Sequence, residues 1–188
     1  MKKINKERSW DYFILVSRVW LAYILIDYGW GKLSGEQFGV TEATLNLPLK
    51  NVDLFRLSWY LAAHEPFKSF IGISQIITAL LILYNRTVII GAFMSIPIWL
   101  NILMWDMTFI GLYTPFTLRI PYYLVLTVLI LWHYKDRLLT ALGTITKGTS
   151  TKFKYPIWAY LLLPLVSFLL EFIGMIPSAI IDLLKKVF

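Results

Sequence analysis

The chain of 188 residues contains no cysteine. That absence excludes disulfides, thiolate nucleophiles, iron–sulfur ligation, Cys-containing zinc sites and any CxxC relay, so redox chemistry here needs a bound organic cofactor. Histidine is nearly missing as well. The two that occur, His64 and His133, fall at opposite ends of the apolar spans described below, about a membrane thickness apart, which excludes bis-His haem ligation. There is no HExxH, GxSxG, P-loop or Rossmann glycine pattern, and no metal site is expected. Charge is also scarce: 15% of residues are charged, against roughly 25% in an average soluble domain.

What the chain does have is apolar bulk, with 58% hydrophobic residues including 12 Phe, 11 Tyr and 8 Trp. This composition argues against both a soluble globular enzyme and low-complexity disorder. The formal net charge of +7 could suggest nucleic acid. However, the 18 Lys and Arg lie mostly at the ends of apolar runs, where membrane topology puts them, so the expected partner is membrane lipid and no nucleic acid.

A bilayer core about 30 Å thick needs roughly 20 apolar residues of helix. Five runs qualify: Tyr12 to Gly31, Phe67 to Tyr84, Thr87 to Ile110, Arg119 to Tyr134, and Pro156 to about Ile176. The fold expected is all-α, a polytopic transmembrane helix bundle with a four-helix core over residues 12–135. An outer insertion over 33–66, a basic inner linker over 136–155 and a C-terminal fifth hydrophobic helix over 156–184 complete a single membrane domain. Pro164 lies inside the fifth run and Pro177 closes it, so it reads as a kinked span or a re-entrant hairpin.

The N-terminal MKKINKERSW resembles the charged region of a signal peptide. The apolar run behind it is too long, contains Arg18 and Asp27 and lacks a small-x-small cleavage site, so it reads as a retained first helix. Placing the N-terminus in the cytoplasm puts Lys2, Lys3, Lys6, Arg8, Arg86 and the basic cluster from Lys135 to Lys154 on the inner side of a plasma (inner) membrane. The C-terminus follows the fifth helix, outward if that helix crosses and inward if it does not.

In the insertion, Asp53 is placed to cap a short helix, LFRLSWYLAAH, that Pro66 terminates and that Leu54, Leu57, Trp59 and Leu61 lay across the outer mouth. Gly143 to Lys154 reads as a flexible linker. Gly72, Gly91 and the Gly29/Gly31 pair read as close-packing positions between helices.

A charge at the bilayer centre costs roughly 2.5 to 3.5 kcal/mol, so each one needs a partner or a wet cavity. Arg18 lies two turns into the first helix and either snorkels to the inner headgroups or faces inward. Four spans send charges to the outer mouth: Asp27 and Lys32, then His64, Glu65 and Lys68, then Asp106, then Arg119. These suggest a pocket in which Asp27 or Asp106 pairs with Arg119 and Glu65 pairs with Lys32, or else they merely mark helix ends. Gln75 and Asn101 sit at mid-span, where amides bond across helices or touch a ligand. At the inner end His133 is spaced to pair with Asp136.

Arg18, an apolar stretch, then Gly29, Trp30, Gly31, Lys32 and Leu33 resemble the R-x(10)-G-x-x-K-[LF] opening of DoxX-like membrane proteins. The apolar helix from Gly72 that ends in the YNRT turn at Arg86 resembles that family's second helix and its Arg-containing turn. Where relatives often carry a Glu and a run of glycines, this chain has Gln75 and Thr78-Ala79. The resemblance covers residues 12–135 and implies a four-helix core. It also implies kinship with the small membrane subunit of thiosulfate:quinone oxidoreductase and with subunits partnered to redox enzymes.

Three functions are then open. A quinone-linked redox subunit would use Asp27, His64, Glu65 and Asp106 as proton carriers, Lys32 and Arg119 to hold developing negative charge, and Trp30 and Trp105 to stack on the ring. A non-enzymatic accessory or assembly subunit would dock a protein partner in a membrane complex through its linker and last helix. A carrier of a small hydrophobic or anionic solute would use Arg18 and Gln75 facing an interior cavity.

Overall fold

The computed structural model describes residues 6–149 and 153–187, so Lys2, Lys3 and Lys152, counted above toward the inner side, lie outside the described residues. Helix α1 (Lys6–Leu33) carries Glu7 in its first turn and Lys32 in its last, the charge order a helix dipole favours. Its buried positions, among them Ile14, Arg18, Leu21, Leu25, Gly29 and Lys32, recur every three or four residues and form one stripe facing the bundle.

The insertion folds as α2 (Glu42–Leu45), a 3-10 turn (Leu49–Asn51) and α3 (Leu54–Ala62). Asp53 caps α3, its carboxylate accepting from Arg56 N–H at 2.9 Å. Leu54 and Leu61 are exposed, while Ser58 and Ala62 are buried, so α3 lies with one face on the bundle. Helix α4 (Phe67–Leu83) leaves α3 at a bend of 83°.

Helices α5 (Val88–Phe109) and α6 (Pro115–His133) complete the bundle. Helix α1 packs on α4 and α6, and α5 packs on α4 and α6, so the four close into a ring. Trp99 of α5 is fully buried at its centre, its ring 6.5 Å from Tyr28 of α1 and 5.0 Å from Tyr123 of α6.

The tightest seams need glycine. A Cβ on Gly29 would stand 2.7 Å from Gly72 O, and one on Gly91 would stand 2.7 Å from Leu81 C, both closer than real Cβ atoms come. Gly31 is different: it faces the following loop, with Gln37 Cβ at an ordinary 3.5 Å, rather than another helix.

Helix α6 begins a turn earlier than Arg119. Thr114 caps it by accepting from Thr117 N–H at 3.2 Å, and Pro115 fills the first turn, where its missing N–H costs nothing. The end of α6 is also set locally, because the chain breaks at Tyr134 before α7 (Lys135–Thr146). That break takes Asp136 off the face of His133. His133 Nε2 instead lies 3.4 Å from Asp11 Oδ1 of α1. Helix α7 makes residues 135–146 helical, which shortens the linker expected there.

The chain divides into two compact units, Met1–Thr144 and Ile145–Phe188, and the second holds α8 (Ile157–Val187). Helix α8 continues through both Pro164 and Pro177 rather than closing at the second. Each proline deletes a single i to i−4 bond, and in an apolar run every other backbone donor still needs its helical acceptor. Among the described residues four helices, α1, α5, α6 and α8, are long and apolar enough to cross a membrane, or up to five if the bent α3–α4 pair counts as one span. By length and composition this is an all-helical, multi-span membrane protein.

Candidate ligand cavity

The alternation of α1, α4, α5 and α6 brings the C-terminal turns of α1 and α5 and the N-terminal turns of α4 and α6 to one end of the bundle, the end that carries the insertion. There the four helices splay around a cavity of about 230 Å³. Helix α1 contributes Tyr28 and Lys32, α4 contributes Phe67 and Ile71, and α6 contributes Phe116. Helix α5 supplies Asn101 at the rim, Ile102, Trp105 and Asp106. The insertion closes the top with Gln37, Phe38, Phe55 and Trp59.

Lys32 is 6% exposed and held from two sides. Its ammonium donates to Tyr28 O at 3.1 Å and to Gln37 Oε1 at 2.7 Å, and lies 5.3 Å from the ring centres of Tyr28 and Phe38. Gln37 N–H donates to Gly31 O at 2.9 Å and Gly39 N–H to Trp59 O at 3.2 Å, so the same loop ties α1 to α3. Phe38 and Phe55 pack on the Trp59 ring. The lysine therefore pins the roof of the cavity as well as charging its wall.

Asp106 is 8% exposed and lines the same cavity. Its backbone carbonyl ends α5 by accepting from Ile110 N–H and Gly111 N–H, each at 2.9 Å, and Gly111 adopts φ +119 to turn the chain. Its carboxylate has no hydrogen-bond partner and no ion pair within 4 Å among the described residues. Lys32 is an electrostatic neighbour, but the pair is not among the ion pairs within 4 Å. Two opposite charges in an apolar setting attract strongly enough to collapse together unless the frame holds them apart. Here the hydrogen bonds of Lys32 and the position of Asp106 on α5 keep a gap between them.

Of the residues proposed from the sequence as binding groups, Lys32, Asn101, Trp105 and Asp106 meet at this cavity, joined by Trp59 from the helix expected across the mouth, and the other seven do not. Asp27 and Trp30 are exposed on the far side of α1, because Trp30 lies about 160° round the helix from Lys32. Arg119 is exposed on the second turn of α6 and forms no ion pair with Asp27 or Asp106 among the described residues. His64 is exposed, its Nδ1 3.0 Å from Tyr60 O. Glu65 pairs with Lys68 at 3.3 Å, not with Lys32, and accepts from Ser69 N–H at 3.2 Å. That hydrogen bonding from Ser69, together with the Lys68 ammonium, holds its carboxyl below the usual carboxylate range.

Gln75 is fully buried against the Gly29 seam, and neither its oxygen nor its nitrogen has a partner among the described residues. It thus neither lines the cavity nor bonds across helices. Arg18 is 4% exposed and serves the opposite end of the bundle. Its Nε donates to Ile82 O at 3.0 Å and its Nη2 to Leu83 O at 2.7 Å and Asn85 Oδ1 at 2.8 Å, with Tyr134 OH 3.4 Å from Nη1. Thr87 Oγ1 donates to Leu81 O at 2.9 Å. Arg18 and Thr87 between them satisfy three of the carbonyls that the end of α4 leaves open, so Arg18 neither snorkels nor faces a ligand.

The sequence reading missed Tyr28, Gln37 and Phe38. Tyr28 was accessible to it, one turn before Lys32 on the buried stripe of α1, whereas Gln37 and Phe38 reach the cavity only through the fold of the loop. No three His, Cys, Asp or Glu side chains gather to hold a metal among the described residues. Compared with family models, curated proteins and solved structures, the chain finds no match.

Proposed function

We propose that the chain is a DoxX-like, quinone-linked integral membrane subunit whose cavity receives the head of a quinone. The observation that carries this reading is the cavity itself, an aromatic box with one buried cation and one carboxylate, that of Asp106, which opens onto the cavity and has no partner among the described residues. At about 230 Å³ it is below the roughly 300 to 1000 Å³ of pockets for drug-sized ligands, which suits a single substituted ring whose tail stays in lipid. Tyr28, Phe38, Trp59 and Trp105 offer ring faces, and Lys32 offers a donor to a carbonyl oxygen. The family reading is supported by the way the motif residues work together: Arg18 bonds Asn85 and the end of α4, Gly29 admits Gly72, and Lys32 reaches the cavity.

With the N-terminus cytoplasmic, the cavity faces the outer side of the plasma membrane, and a partner enzyme or a small inorganic donor supplies the electrons. The test is mass spectrometry of protein purified in mild detergent, read for extracted quinone and for co-purifying polypeptides. About one quinone per chain, lost in Lys32→Met, is expected. Protein free of quinone that also fails to bind an added short-tailed quinone would sink the reading. A second reading, an accessory subunit of another membrane complex, is favoured by α8, whose described large apolar side chains are all exposed. A stable non-redox partner in a quinone-free preparation would select it.

A further inference from the structure

The gap between Lys32 and Asp106 specifies more than a ring. We infer that the cavity selects the reduced, hydroxyl-bearing form of its ring ligand, with Asp106 accepting a ring O–H and Lys32 donating to a ring oxygen. This inference rests on the quinone reading above and adds a direction to it.

An ammonium has three N–H groups. Lys32 spends one on Tyr28 O and one on Gln37 Oε1, which leaves one for a ligand. A carboxylate only accepts, and that of Asp106 accepts from no group among the described residues although the residue is more than nine-tenths buried. Lys32 thus keeps one donor, and Tyr28, Asn101, Trp59 and Trp105 add neutral polar groups to the lining, but Asp106 is the one carboxylate there and nothing in the lining is seen to donate to it.

A hydroquinone satisfies both. One hydroxyl donates to Asp106 in a short, charge-assisted O–H to carboxylate bond, and a ring oxygen accepts from Lys32. A quinone has two carbonyls and no donor. It can satisfy Lys32, but it leaves Asp106 unpaired and sets a carbonyl lone pair against a carboxylate in an apolar box. Sites built to hydrogen-bond a hydroxyl reject the analogue that lacks it far more strongly than apolar pockets reject a change of size, because their buried polar group is then stranded. No bond to the ligand is made or broken in this selection, and protons and electrons stay with it.

The test uses the full chain in lipid nanodiscs at neutral pH under inert gas. Decylubiquinone, its reduced form decylubiquinol and the dimethyl ether of that quinol are titrated separately, and binding is followed by equilibrium partition of each ligand between protein-loaded and empty nanodiscs. The quinol should bind about tenfold or more tightly than the quinone, the dimethyl ether should lose that advantage, and Asp106→Asn should compress the ratio toward one by weakening the quinol. The ether arm needs no variant, so it stands even if Asp106→Asn does not fold. Equal affinity for quinol and quinone, or a preference that survives methylation or Asp106→Asn, overturns the inference and leaves the quinone reading in place. Binding of none of the three overturns both.

Discussion

The two ends of the bundle each bury a basic residue of α1, and they use it in opposite ways. At one end Arg18 has four of its five N–H groups matched, by Ile82 O, Leu83 O, Asn85 and Tyr134. At the other, Lys32 holds a loop with two of its hydrogen bonds and shares a cavity with an unpartnered Asp106. The first arrangement is closed and can serve only the fold. The second is left incomplete by the described side chains, and the proposed ring ligand would complete it. The choice of residue fits: a planar fork spans neighbouring carbonyls, while a lysine presents a point charge with a spare donor.

The largest effect is expected at the closed end. Arg18→Met strands Ile82 O and Leu83 O, and each buried carbonyl left without a donor costs roughly 1 to 3 kcal/mol. The expected result is a steep fall in the yield of monodisperse protein and in the thermal midpoint in detergent. Arg18→Lys should recover part of both, since one ammonium reaches one carbonyl at the helix end. If Arg18→Met kept full stability but lost ligand, the two ends would have to exchange roles.

A change of opposite sign is expected between the ends. Gln75→Met keeps the volume and removes an amide whose two polar atoms lack partners among the described residues. Removing such a group relieves a desolvation penalty on the order of 1 to 2 kcal/mol, so the thermal midpoint should rise. A fall would reveal a water or partner that satisfies the amide and would extend the polar region of the cavity inward toward Gly29.

Much of this contrast was legible in the sequence because lipid makes helices and charges conspicuous. The apolar runs mark α1, α4, α5 and α6, Asp53 marks the start of α3, and Gly29, Gly72 and Gly91 mark the close seams. The candidates at Lys32 and Asp106 followed from the charges that four spans send to one mouth. Three things were not legible. Helical phase decides that Trp30 turns away while Tyr28, two residues earlier, turns in, and the apolar run around them is too uniform to reveal it. The partner of Arg18 is a helix terminus 64 residues away, and no local pattern announces that a carbonyl there lacks a donor. The roof depends on Gln37 and Phe38, ordinary residues placed by backbone bonds of the loop to Gly31 and Trp59.

The smallest effect is expected beside the cavity, at Glu65, where the sequence suggested a pairing with Lys32. Glu65 is exposed and bonded only within its own turn, to Ser69 N–H and Lys68. Ion pairs of this kind are screened by water and contribute little. Its folded-state carboxyl is held below the usual range, so any stability it adds is present at neutral pH and is lost as pH falls through that depressed value. Glu65→Gln should therefore leave quinone and quinol binding unchanged. Its thermal midpoint should lie slightly below that of the parent at neutral pH and converge with it in acid. A large loss of ligand in Glu65→Gln would mean that Lys68 and the first turn of α4 reach into the cavity, extending the open end of the bundle beyond Lys32 and Asp106.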